Sequence, residues 1–217
     1  MTKTIVCYGD SNTWGAIPGP DKKRYPPDIR WPNVMGRLLP DGFRVYEEGL
    51  CGRTTVHDDP IEGSLTVDKN GKRTLGAILD THSPVDLVVI MLGTNDLKPR
   101  FAVSAYEIAA GVELLAHTAR DPLFGPGLNS VPDVLVVCPP PIEETGDFFG
   151  TIFAGGKAKS LQLSKQFKLL GERSNIPILY AGQFVKSDPV DGIHLSAESH
   201  AALAGAVADW VKARFGA

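Results

Sequence analysis

The sequence predicts an α/β fold in which helices cover both faces of a parallel sheet, a doubly wound sandwich. Residues 85–92 and 134–138 are almost unbroken runs of Val, Leu and Ile, the pattern of strands buried on both faces. Such runs alternate with segments of helical period, and alternating strands and helices pack as layers. With 217 residues, 43% of them hydrophobic, the chain can bury one large core, so 1–217 is expected to be a single domain.

Residues 4–8 are the first predicted strand. Their apolar run is too short for the hydrophobic segment of a signal peptide and leads at once into Gly9-Asp10-Ser11, a tight strand-to-helix turn. Residues 43–47 follow as the second strand and 85–92 as the third. Ser104 and Glu107 then have the spacing of a capping box, ahead of Ile108, Val112 and Leu115 on one helical face. Residues 134–138 are the fourth strand; Leu163, Phe167 and Leu170 repeat the helical spacing; 178–181 are the fifth strand. A last helix is expected after Ser196, with Glu198 in its first turn and Leu203, Val207, Trp210 and Val211 on its buried face. Stretches 16–32, 58–73 and 139–149, rich in Pro or charge, have no period and are expected to be long loops, functional or interfacial.

A net charge of −3, dispersed along the chain, gives no pull toward nucleic acid or an anionic membrane. No apolar run approaches the roughly 20 residues that span a bilayer, so a soluble, cytoplasmic protein is expected. Cys7, Cys51 and Cys138 are odd in number and form no CxxC pair, which argues against disulfides and a thiolate metal site and for small buried hydrophobes. His57-Asp58-Asp59 lacks a matching ligand set elsewhere and reads as a solvated loop; no metal or cofactor is expected. His82, His117 and His200 fall on predicted helices or their ends and are expected at the surface or its boundary.

The polar motifs share one location. Ser11 follows the first strand, Gly52 the second, Asn95 the third, and Asp191 with His194 the fifth, all beyond the carboxyl ends of parallel strands, where open α/β sheets bind ligands. An Asp three residues before a His can hold Nδ1 of the imidazole and leave Nε2 to take a proton from a serine hydroxyl. Ser11 N–H at a helix start, the unobstructed N–H of Gly52 and the Asn95 amide can together receive an oxyanion. That is acyl-transfer chemistry, with Ser11 as nucleophile, His194 as base and Asp191 as its orienter. Asp10 and Asp96 are expected to stabilise their own turns, and Arg53 to anchor its loop through backbone carbonyls. Asn12 and Trp14 are placed at the substrate pocket, with Trp14 divided evenly between core packing and a wall that limits acyl length.

Gly9-Asp10-Ser11 with Gly15, Gly52, Gly93-Thr94-Asn95-Asp96, and Asp191-x-x-His194 resemble, in order, the four sequence blocks of the SGNH, or GDSL-like, hydrolase superfamily. The blocks are individually weak and jointly specific. The resemblance implies a flavodoxin-like three-layer α/β/α sandwich with a five-stranded parallel sheet in the order 2-1-3-4-5, and the same triad and oxyanion roles. Trp14, Glu47-Glu48-Gly49-Leu50, Arg53-Thr54-Thr55, Asp58-Asp59-Pro60 and Met91-Leu92 resemble more closely the bacterial oligomeric arylesterase/acyltransferase subgroup. That similarity implies short acyl esters as substrates, acyl transfer to alcohols, and a homo-oligomer as large as an octamer. Asn12 departs from the common signature, which has Leu there. Acetylated sugars and thioesters are alternative substrates on the same site. A flavodoxin-type FMN module, with a phosphate cradled by Ser11-Asn12-Thr13, is the rival class, and it leaves the Asp-His pair without a role.

Overall fold

Five parallel strands form one sheet in the order β2-β1-β3-β4-β5: β1 Lys3–Gly9, β2 Phe43–Gly49, β3 Leu87–Met91, β4 Asp133–Cys138 and β5 Ile178–Tyr180. The structure, a computed structural model, describes residues 2–63 and 67–217. Residues 64–66, inside the predicted 58–73 loop, lie outside the described residues. Gly9 pairs with Gly49 on one side and Met91 on the other, so the first three strands end level and the residues after them leave the sheet at one edge.

The pleat sorts strand side chains between two apolar layers. Val6, Tyr8, Val88, Ile90 and Val136 face α3 Gly71–His82, α4 Ala105–Ala119 and α6 Gly156–Ser174. Ile5, Cys7, Leu87, Val89 and Val137 face α2 Trp31–Leu38 and α7 Ala197–Phe215. Each of these strand side chains is fully buried, as the continuous apolar runs require. The predicted capping box is present: the Ser104 hydroxyl accepts from Glu107 N, and Glu107 reaches back to Ser104 N at 2.7 Å.

Two helices lie where no period was legible, both beginning inside stretches expected to be loops. α2 has eight residues, no side-chain cap from Arg30 and a Pro in its first turn. It persists because Trp31 and Met35, both wholly buried, pack against α7. α3 is started by Asn70, whose side chain accepts from Lys72 N at 3.0 Å, and buries only Leu75 and Leu79 behind Gly71. Two buried leucines and two glycines make a faint helical signal. A third short helix, α5 Phe148–Ile152, begins at the end of the 139–149 stretch under an Asp147 cap.

His200 corrects an expectation. It is fully buried between α7 and α2, its Nδ1 accepting from Trp31 N at 3.3 Å, whereas His117 is exposed and His82 is half-buried against Tyr46.

Candidate active site

Ser11 is the first residue of a single-turn helix, α1 Ser11–Trp14, and the turn before it is sterically exacting. A Cβ on Gly9 would fall 2.0 Å from Thr13 Oγ1 and 2.9 Å from the Met91 carbonyl, so only glycine fits there. Asp10 caps the helix through Oδ1, which accepts from Asn12 N at 2.9 Å. Burial pushes the Asp10 carboxyl up to about 6, against the opposing Asn12 N–H. Gly15, at φ +86°, ends the helix and turns the chain into an arm that folds back through Tyr25 N donating to Gly15 O at 2.8 Å.

The opposite wall comes from the loop after β5. Asp191 is fully buried; its Oδ1 accepts from Ile193 N and His194 N, both at 2.9 Å. Its Oδ2 accepts from His194 Nδ1 at 2.7 Å and from Gly19 N, on the arm, at 2.8 Å. Burial pushes this carboxyl up, but the His194 contacts and backbone donors outweigh it and hold it below the usual aspartate range. A carboxylate only accepts, so in the neutral imidazole the proton sits on Nδ1 and the lone pair on Nε2. His194 Nε2 lies 3.1 Å from Ser11 Oγ. Phe149 meets the imidazole edge to face, with ring centres 5.3 Å apart.

Gly52 and Asn95 border the same cavity as Ser11 and His194. Gly52 has φ +81°, in the left-handed region that favours glycine. Asn95 is buried and gives one amide hydrogen to Arg53 O at 3.1 Å, and among the described residues its second has no acceptor. Arg53 donates to the carbonyls of Gly9, at 2.7 Å, and Glu48, tying together the ends of β1 and β2 as its sequence position suggested. Asp96, expected to stabilise its own turn, instead holds the loop after β2, accepting from Thr55 N and Oγ1 and from His57 Nδ1 at 2.8 Å.

The cavity measures about 230 Å³. Its lining includes the apolar side chains of Phe149, Ile152 and Phe153, residues of the arm at 16–22, and the charged pair Glu62 and Lys98. Asn12 and Trp14, placed at the pocket from sequence, do not border it. Asn12 instead brackets the backbone of His194: Nδ2 donates to Ile193 O at 3.2 Å and Oδ1 accepts from Leu195 N at 3.1 Å. Trp14 sits behind the arm, its ring 4.9 Å from the Arg24 guanidinium, whose Nε donates to Trp14 O at 2.6 Å. Gly19, Glu62 and Phe149 lie in the stretches 16–32, 58–73 and 139–149 expected to be functional or interfacial loops, whereas Lys98 had no sequence signal as a site residue.

Among the described residues, no group of three or more His, Cys, Asp or Glu side chains is arranged to hold a metal ion, and no helix is long and apolar enough to cross a membrane.

Residues 7–202 match the model of the GDSL-like lipase/acylhydrolase family. The chain is similar to a carbohydrate acetylesterase of Sinorhizobium meliloti, Est24, with 41% identity, a TM-score of 0.91, and coverage of 99% of this chain and 100% of that one. It is also similar to an aryl esterase of M. smegmatis, with 38% identity, a TM-score of 0.90 and coverage of 98% and 99%. A carbohydrate acetylesterase family member, also from Sinorhizobium meliloti, shares 35% identity over the whole of both chains, with a TM-score of 0.92. No curated protein matches the chain.

Proposed function

As the chain belongs to the GDSL-like lipase/acylhydrolase family and is a carboxylic ester hydrolase, we propose that Ser11 is its nucleophile in hydrolysis of short-chain acyl esters. The observation that carries this is the continuous relay from Asp191 Oδ2 through both imidazole nitrogens to Ser11 Oγ, with steps of 2.7 and 3.1 Å. His194 Nε2 takes the Ser11 proton as Oγ attacks the ester carbonyl. Asp191 stabilises the imidazolium without taking its proton. The tetrahedral oxyanion is received by Ser11 N–H, Gly52 N–H and the free Asn95 amide hydrogen, donors held in place before the reaction begins.

Collapse expels the alcohol with the proton returned by His194. Water then attacks the acyl-enzyme with the same imidazole as base. No cofactor enters this cycle. An alcohol reaching the acyl-enzyme in place of water completes acyl transfer, which the apolar wall of Phe149, Ile152 and Phe153 favours by holding an organic acceptor. The small cavity supports acetyl and other short acyl groups. The similar proteins named for aryl and carbohydrate esters suggest those two alcohol classes. We further infer assembly as a homo-oligomer, up to an octamer, and function in the cytoplasm without nucleic-acid or membrane partners.

Ser11→Ala protein is expected to lose aryl acetate hydrolysis by about 10⁴-fold or more. Retained wild-type turnover sinks the mechanism. The same assay with an added alcohol tests transfer: a product mixture unchanged by the acceptor rejects it.

A further inference from the structure

Glu62 and Lys98 border the cavity beside Ser11, Gly52 and Asn95, yet the serine cycle uses neither. Lys98 is 2% exposed, three residues beyond Asn95, with its ammonium 5.3 Å from the Phe153 ring centre and 2.6 Å from Glu62 Oε1. Arg100 donates to the same Glu62 oxygen at 2.6 Å and to Asp59 Oδ2 at 2.7 Å. Two charge-assisted bonds on one oxygen fix the direction of the whole carboxylate.

The other oxygen is the informative one. Among the described residues Glu62 Oε2 has no hydrogen-bond partner, and it lies against the proposed oxyanion donor: a Cβ on Gly52 would fall 2.9 Å from it. Burial raises the Glu62 carboxyl, but Lys98 and Arg100 outweigh it and hold it below the usual glutamate range. It is therefore an anion that can only accept. An apolar group laid against it would strip its water without replacing the hydrogen bond, whereas a hydroxyl would satisfy it. A bare carboxylate beside Gly52 would also oppose the oxyanion, and the two cations offset that charge.

Resting on the serine esterase reading, we propose that Glu62 is a specificity-determining residue. Its Oε2 accepts a hydrogen bond from a substrate hydroxyl close to the ester carbonyl, so acetates of polyhydroxylated alcohols are preferred. Lys98 and Arg100 are positioning residues that aim this acceptor.

The test compares kcat/KM for glyceryl monoacetate with that for butyl acetate, an ester of similar size whose alcohol portion has no hydroxyl. Wild-type protein is expected to prefer the monoacetate, and Glu62→Gln to cut that preference about tenfold. An unchanged ratio, or no preference in the wild type, overturns the proposal. If Glu62→Gln does not fold, Glu62→Gln/Lys98→Met, which leaves no unpaired lysine, is compared in the same way. Failure of the serine reading would appear separately, as hydrolysis retained by Ser11→Ala, while the ratio still reports on Glu62.

Discussion

Asn12 joins two parts of the chain that meet only through folding. Its amide holds the backbone on both sides of His194, so the proposed base and the proposed nucleophile beside Asn12, 183 positions apart, share one short strut. Misplacement on the scale of 1 Å can cost about 100-fold in rate, so Asn12→Ala is expected to lower kcat about 10- to 100-fold. KM should change little, because Asn12 does not border the cavity. Steady-state kinetics decide: a raised KM with kcat preserved would place Asn12 in substrate binding instead. The departure from the family's usual Leu is thus a polar strut, and its role could not be read from the residue type. The juxtaposition of Ser11, Asp191 and His194 was legible because the chemistry proposed for them sets their spacing and order. Asn12 was not, because an amide beside a nucleophile can face either the pocket or the opposite loop.

At the scale of elements, α2 depends on α7. Its first N–H, from Trp31, has no acceptor within its own helix and uses Nδ1 of His200 instead, with Tyr25 edge-on to the imidazole at 5.4 Å. Burial, with a smaller contribution from the charge of His194, pushes His200 down to about 4. The unfolded chain binds a proton at this residue below about pH 6.5, whereas the folded chain stays neutral there until about pH 4. More protons on the unfolded state mean that stability falls as pH drops through that window. His200→Asn is expected to flatten the acid side of a plot of melting temperature against pH, even if its Tm at neutral pH is lower. Parallel slopes for the two proteins would remove His200 as a source of acid sensitivity. α2 was illegible for the same reason that His200 was misplaced: an eight-residue helix held by contacts 169 positions away carries little local signal.

For the whole molecule, the inferred homo-oligomer makes a simple prediction: light scattering should give a multiple of the 23.3 kDa chain mass, and a value at the monomer mass rejects it. The architecture itself was the most legible property. Continuous Val, Leu and Ile runs specify strands covered on both faces, and the level ends of β1, β2 and β3 bring the motif-bearing loops to one edge. Strand identity, fold class and the proposed triad residues follow from hydrophobic period and motif order, which are local properties of the chain. The 3.1 Å approach of His194 to Ser11, the strut made by Asn12, the support of the arm by Trp14 and the free oxygen of Glu62 were decided only by tertiary structure. Each depends on the direction of a polar side chain, and direction is set by whichever donors and acceptors folding brings within about 3 Å.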